Sequence, residues 1–150
     1  MIGHPSVPLV PAILAAAEMA QSSGEQIIVA YVIGLDLQAR LGRLMNPEHY
    51  AHRWHATSTF GAVAAAVASG RLLGLDDTGM RKAIGAGASG AGGLRKNFGS
   101  MVKSLHAGQA AQRGLAAPML AAIGFDSDPD ILDGPARLHR RFQGPGRCFA

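Results

Sequence analysis

Apolar residues recur along this chain at helical rather than strand spacing, and small residues dominate them. Val10, Ile13, Leu14 and Ala17 follow a 3.6-residue period. Pro11 suits a first helical turn, and Ser22-Ser23-Gly24 closes the segment. The preceding Gly3-His4-Pro5-Ser6-Val7-Pro8 reads as an entry loop, because a residue before proline avoids helical angles. A second helix is predicted over about residues 25–44, with Ile28, Val32, Leu35 and Ala39 inward. Asp36 and Arg40 fall on its polar side, four residues apart and able to pair, and Asn46-Pro47 stops it.

A third helix is expected to run to about Leu73, capped by Thr57 or Thr59. Asp76-Asp77-Thr78 caps a fourth, with Met80 and Ile84 inward. Its continuation, Gly85 to Gly93, is a poor helix by propensity and suits special backbone angles or a very close neighbour. No strand precedes this glycine run, so it is not a dinucleotide fingerprint. Residues 94–102 read as irregular. A fifth helix then extends to about Ile123, mildly interrupted by Gly114 and Pro118, and a short helix is expected over 130–132. No run of alternating β-branched residues appears. The fold class is all-α, a bundle of about five to six helices.

Composition narrows this picture. The 150 residues suit one domain, yet charged residues are only 16% against 48% hydrophobic, with 20 glycines. Such a balance predicts closely packed helices that expect further protein around them. No apolar run is long enough for a membrane span, and no signal-peptide pattern opens the chain. The single cysteine, Cys148, fits a reducing compartment, so a cytoplasmic protein is expected. The formal net charge is +4, but residues 1–135 carry ten basic and ten acidic side chains. The excess lies wholly in Arg137, Arg140, Arg141 and Arg147. A neutral body with a basic tail argues against a nucleic-acid-binding face.

Candidate chemistry centres on Tyr50 to Gly61, which holds the only tryptophan and feeds the Ala-rich third helix. Read alone, Trp54-His55 is either a helix cap with an aromatic anchor or a site aimed by a rigid helix start. His49, His52 and His55 sit three apart, but Pro47 favours a loop and no carboxylate or cysteine cluster completes a metal site. Ser58 lacks a nucleophile elbow. Lys103 lies between Met101-Val102 and Leu105, either desolvated near a helix start or reaching over its methylenes to water. His106 adds a titratable group nearby.

Three segments together are similar to the MmgE/PrpD family, which includes 2-methylcitrate dehydratase, cis-aconitate decarboxylase and iminodisuccinate epimerase. They are the run from Gly3 to Ala12, the run from Trp54 to Gly61, and the run from Asn97 to Gly108. The similarity covers about residues 3–135. It implies a helical domain paired, in full-length members, with a second α+β domain, the active site lying between the two. It further implies a metal- and cofactor-independent lyase or isomerase of small di- and tricarboxylates, commonly a homodimer. Carried over residue by residue, His4, His55 and Lys103 would line the catalytic pocket, the two histidines as proton-transfer candidates and Lys103 as an anion clamp. Thr57 and His106 would orient substrate through hydrogen bonds.

Two departures from the family pattern bear on function. Family members carry an Asp-rich helical motif ahead of the His4 region, and their second domain has no counterpart here. The run 136–150 does not look familial. The sequence is therefore expected to be a fragment of the helical domain, inactive alone. The competing expectation is a helical interaction module that kept the fold and lost the chemistry.

Overall fold

The computed structural model describes residues 3–133, Leu138 and Phe142. Six helices follow one another: α1 (Ser6–Ala20), α2 (Gly24–Met45), the short α3 (Glu48–Ala51), α4 (Ala56–Leu72), α5 (Asp77–Ser89) and α6 (Val102–Ala122). A 3-10 turn, Arg95–Asn97, precedes α6, and the described residues contain no sheet, only an isolated bridge between Trp54 and Leu94. The all-α expectation holds.

Helix α4 is the axis of the bundle. It packs against α1, α2, α5 and α6, and nearly every residue from Ala56 to Gly70 is buried. Its alanines and glycines make this possible, because small side chains let four neighbours approach one helix on all sides. Gly34 of α2 shows how close they come: a Cβ there would lie 2.7 Å from Leu9 Cδ2 and 3.3 Å from the Ala64 carbonyl oxygen. At Gly114 of α6 a Cβ would drive into Ala65 Cβ and sit 3.0 Å from the Ala62 carbonyl oxygen.

This packing by small residues corrects the expected faces of α1 and α2. Ile28 and Val32 are 65% and 56% exposed, while Ala30, Gly34, Gln38, Leu41 and Met45 turn inward. In α1, Ile13 and Ala17 are buried as expected, but Val10 and Leu14 are exposed and Leu9, Ala12 and Ala16 take the inner positions. An Ala-rich partner helix selects small residues at closest approach and leaves the larger apolar ones outside.

Boundaries follow local chemistry in some places and tertiary packing in others. Asp76 caps α5 by accepting from the Gly79 N–H at 2.7 Å, and Ser23 with Gln26 forms a capping box on α2. Asn46 ends α2, and the Asp36–Arg40 pair forms at 2.7 Å. Three expectations need correction. Helix α1 begins at Ser6 and carries Pro8 buried in its first turn. The Gly-rich run stays helical to Ser89, because Gly85 and Gly87 press against Ser127 and Ala66. Residues 129–132 form a turn rather than a helix. The expected irregular tail over 136–150 falls outside the described residues, apart from the helical, buried Leu138 and Phe142. Among the described residues, no helix is long and apolar enough to cross a membrane.

Candidate active site

The site forms where α4 and α6 begin. His55 occupies the N-cap position of α4 in an extended conformation, with no side-chain cap, so its ring is free for other contacts. Its backbone is held from both sides. The His55 N–H donates to the Gly93 carbonyl at 2.9 Å, and its carbonyl accepts from Ser58 and Thr59 N–H at 2.9 and 3.0 Å. Thr57 and Thr59, the expected caps, lie inside the helix instead. Thr57 Oγ1 accepts the His4 N–H at 3.0 Å and ties the entry loop to the first turn of α4. Thr59 Oγ1 meets His49 Nε2 at 2.8 Å.

Around the His55 ring, its Nδ1 lies 3.3 Å from Nδ1 of His106, so one nitrogen carries the hydrogen and the other accepts it. The Phe98 ring stands edge-on to His55, centroids 4.8 Å apart, and Lys103 Nζ lies 5.2 Å from the centroid of that same ring. His106 is fixed from behind, where Ser58 Oγ donates to its carbonyl at 3.1 Å. Gly93 closes the packing with φ +114°, and a Cβ there would lie 3.1 Å from Ser58 Oγ and 3.3 Å from His106 Cγ.

The electrostatics are one-signed. His55 is only 4% exposed, and its pKa is lowered from 6.5 to about 4. Burial is the main cause, followed by the positive charges of His106, Lys103 and His4. At neutral pH its imidazole is uncharged. The N-terminal ends of α4 and α6 add their helix dipoles to the same place. An anion set here would find hydrogen-bond donors and positive potential together. His49 behaves differently. It is fully buried, stacks on Phe60 with centroids 4.4 Å apart, and its pKa is likewise lowered to about 4, by burial and then by His52 and His55. It supports the His55 segment through Thr59 rather than opening to solvent. His49, His52 and His55 do not assemble as metal ligands, and among the described residues no three His, Cys, Asp or Glu side chains are placed to hold a metal ion.

The five residues singled out in the sequence thus occupy one neighbourhood. Three residues of that neighbourhood were not foreseen: Ser58, Gly93 and Phe98. Ser58 and Phe98 sit inside two of the quoted motifs, and Gly93 ends the glycine run whose tolerance for unusual angles was the available signal.

The chain is an all-α domain that gathers histidines and a lysine at two helix starts, and among the described residues no acidic side chain is bonded to them. A family model for the MmgE/PrpD N-terminal domain matches residues 1–147. Cis-aconitate decarboxylase from Homo sapiens is 32% identical over 135 residues, which is 87% of this chain and 28% of that protein. The Aspergillus terreus enzyme of the same name is 32% identical over 137 residues, again 87% and 28%. Cis-aconitate decarboxylase-like protein oryM from Aspergillus oryzae is 34% identical over 139 residues, 87% and 29%. The chain belongs to the MmgE/PrpD family and has the fold of its N-terminal helical domain. It spans a little over a quarter of the length of these relatives. The Homo sapiens and Aspergillus terreus relatives are named as decarboxylases, hence lyases.

Proposed function

We propose that this domain forms one wall of a pocket for a small di- or tricarboxylate and serves a lyase that works without a metal or organic cofactor. The convergence of His4, His55, Lys103 and His106 around one buried, neutral imidazole carries the reading. Lys103 is the anion clamp, screening a carboxylate that would otherwise repel the charge developing in the transition state. His55 and His4 move the proton. In a decarboxylation, the bond to the departing carboxylate breaks, carbon dioxide leaves and the electron pair stays on carbon. An imidazolium N–H, formed when the bound anion raises the histidine pKa, delivers the proton that fills that position and reverts to neutral imidazole. In a dehydration of the 2-methylcitrate kind, one of the two histidines would take the proton from the carbon beside a carboxylate and the other, in its imidazolium form, would protonate the departing hydroxyl, which leaves as water. The relatives' names favour cis-aconitate. Thr57 acts through its hold on the His4 backbone, and His106 through its hydrogen bond to His55.

Exposed Val10, Leu14, Ile28 and Val32 favour a second reading, a helical interaction or dimerisation module that retains the fold without the chemistry. Calorimetric titration of the full chain with cis-aconitate and with 2-methylcitrate, followed by NMR for turnover, separates the two. Saturable binding lost in Lys103→Gln supports the pocket. No binding of either carboxylate by the folded chain leaves the module.

A further inference from the structure

Beside the carboxylate pocket lies a second cationic cleft of about 480 Å³, lined by Arg53, Arg95, Lys96 and Phe98. Its construction is specific. The Arg95 guanidinium carbon sits over the Tyr50 ring, 3.4 Å from its centroid, and Nη1 donates to the Tyr50 carbonyl at 2.6 Å. The Arg95 N–H donates in turn to the Arg53 carbonyl at 2.8 Å. Arg95 is therefore held in place before any ligand arrives, and its buried Nε has no partner among the described residues. Arg53 sits at φ +70°, a left-handed conformation that costs a non-glycine residue and is retained where the surroundings impose it.

Among the described residues, none of these three cations is in an ion pair. The ion pairs among the described residues are Asp36–Arg40, Arg81–Asp130 and Lys82–Asp126. The last acidic side chain of the sequence is Asp133, so the residues after it have no carboxylate side chain to offer. Three like charges in one cleft repel one another unless an anion is shared among them, and planar guanidinium groups match tetrahedral oxyanions through paired N–H donors. Phe98 is common to both places: its ring is edge-on to His55 and its centroid is 5.8 Å from the Arg95 guanidinium carbon.

We propose that the cleft of Arg53, Arg95 and Lys96 is a second anion site, separate from the carboxylate pocket, that binds a phosphate group. The ligand carries at least two negative charges and comes either as free phosphate or as a phosphate ester. The site stands whether or not the carboxylate reading does, because it shares no cation with that pocket.

The test is a titration of the full chain with inorganic phosphate, pyrophosphate and a nucleoside monophosphate, read by phosphorus NMR and thermal shift at constant ionic strength. The expected result is saturable binding that Lys96→Gln weakens by about 3- to 10-fold and that Lys103→Gln leaves unchanged. Arg53→Gly is the sharper variant, since glycine accepts the left-handed angle without strain. A structural role for Arg53 predicts unchanged phosphate affinity in that variant, whereas the proposal predicts weaker binding in a protein at least as stable. Tighter binding of the monophosphate identifies an ester as the ligand, and equal binding identifies the free anion. Absence of saturable binding, or a loss in Lys103→Gln as large as in Arg53→Gly, overturns the proposal.

Discussion

Lowering the pH should unfold this domain well before its carboxylates dominate the titration, because two histidines are buried in uncharged form. His49 and His55 each have a folded-state pKa of about 4 against 6.5 in an exposed chain. A base whose pKa is depressed by folding is protonated first in the unfolded state. Its stabilisation is complete above pH 6.5 and disappears as the pH falls toward 4. That interval corresponds to about 3 kcal/mol per histidine, of which about 2 kcal/mol is gone by pH 5. The two together remove roughly 4 kcal/mol between pH 7.5 and 5, against the roughly 5–15 kcal/mol of an ordinary domain. Urea midpoints at pH 7.5, 6 and 5, paired with NMR titration of the imidazole Cε1 protons, read both sides of this linkage. A polycarboxylate at pH 5.5 should raise the His55 pKa and leave His49 almost unmoved, since His55, and not His49, lies beside Lys103 and His106 in the proposed pocket. A urea midpoint constant from pH 7.5 to 5, or two resonances titrating near 6.5, would refute the reasoning.

The remaining predictions concern packing and positioning. Gly93→Ala places a Cβ 3.1 Å from Ser58 Oγ at a left-handed φ of +114°, and should cost about 1–3 kcal/mol in thermal melts while shifting the His55 resonance that its carbonyl helps hold. Gly114→Ala, a far conservative change by size, should destabilise by about 1–3 kcal/mol or more, since the obstructing atoms include the α4 backbone at 3.0–3.1 Å. Thr59→Val removes the one hydrogen-bond partner that the described residues give the buried His49 ring; a loss of about 1–3 kcal/mol in urea unfolding is expected, and an unchanged midpoint would count against that bond.

Local signals in the sequence were read correctly where one residue type answers one backbone need. Asp76 satisfies an orphan N–H, Asn46-Pro47 ends α2, and Asp36 meets Arg40 one turn on. Faces were misread where apolar residues surround a helix. Ile28 and Val32 looked like core by hydrophobicity, yet Gly34 and Ala30 fit against Ala64 and Ala68 and they do not. The glycine run was misjudged for a related reason, since propensity prices an isolated helix and not one pressed against Ala66 and Ser127. At the site, spacing alone left Trp54-His55 and Lys103 ambiguous. Their meeting depends on two helix starts brought side by side by the packing of α4 on α6, which no local pattern encodes. The resemblance singled them out together; the supporting Ser58, Gly93 and Phe98 needed the third dimension.

The central claim is that His55 is a neutral imidazole set among cations to receive a carboxylate. Its most direct test is an NMR pH titration of the His55 ring with and without saturating tricarballylate, an unreactive tricarboxylate, in the full chain and in Lys103→Gln. The account predicts a pKa near 4 without ligand, a rise when the anion binds, and little or no rise in Lys103→Gln. A His55 pKa that stays unchanged by the tricarboxylate would contradict it.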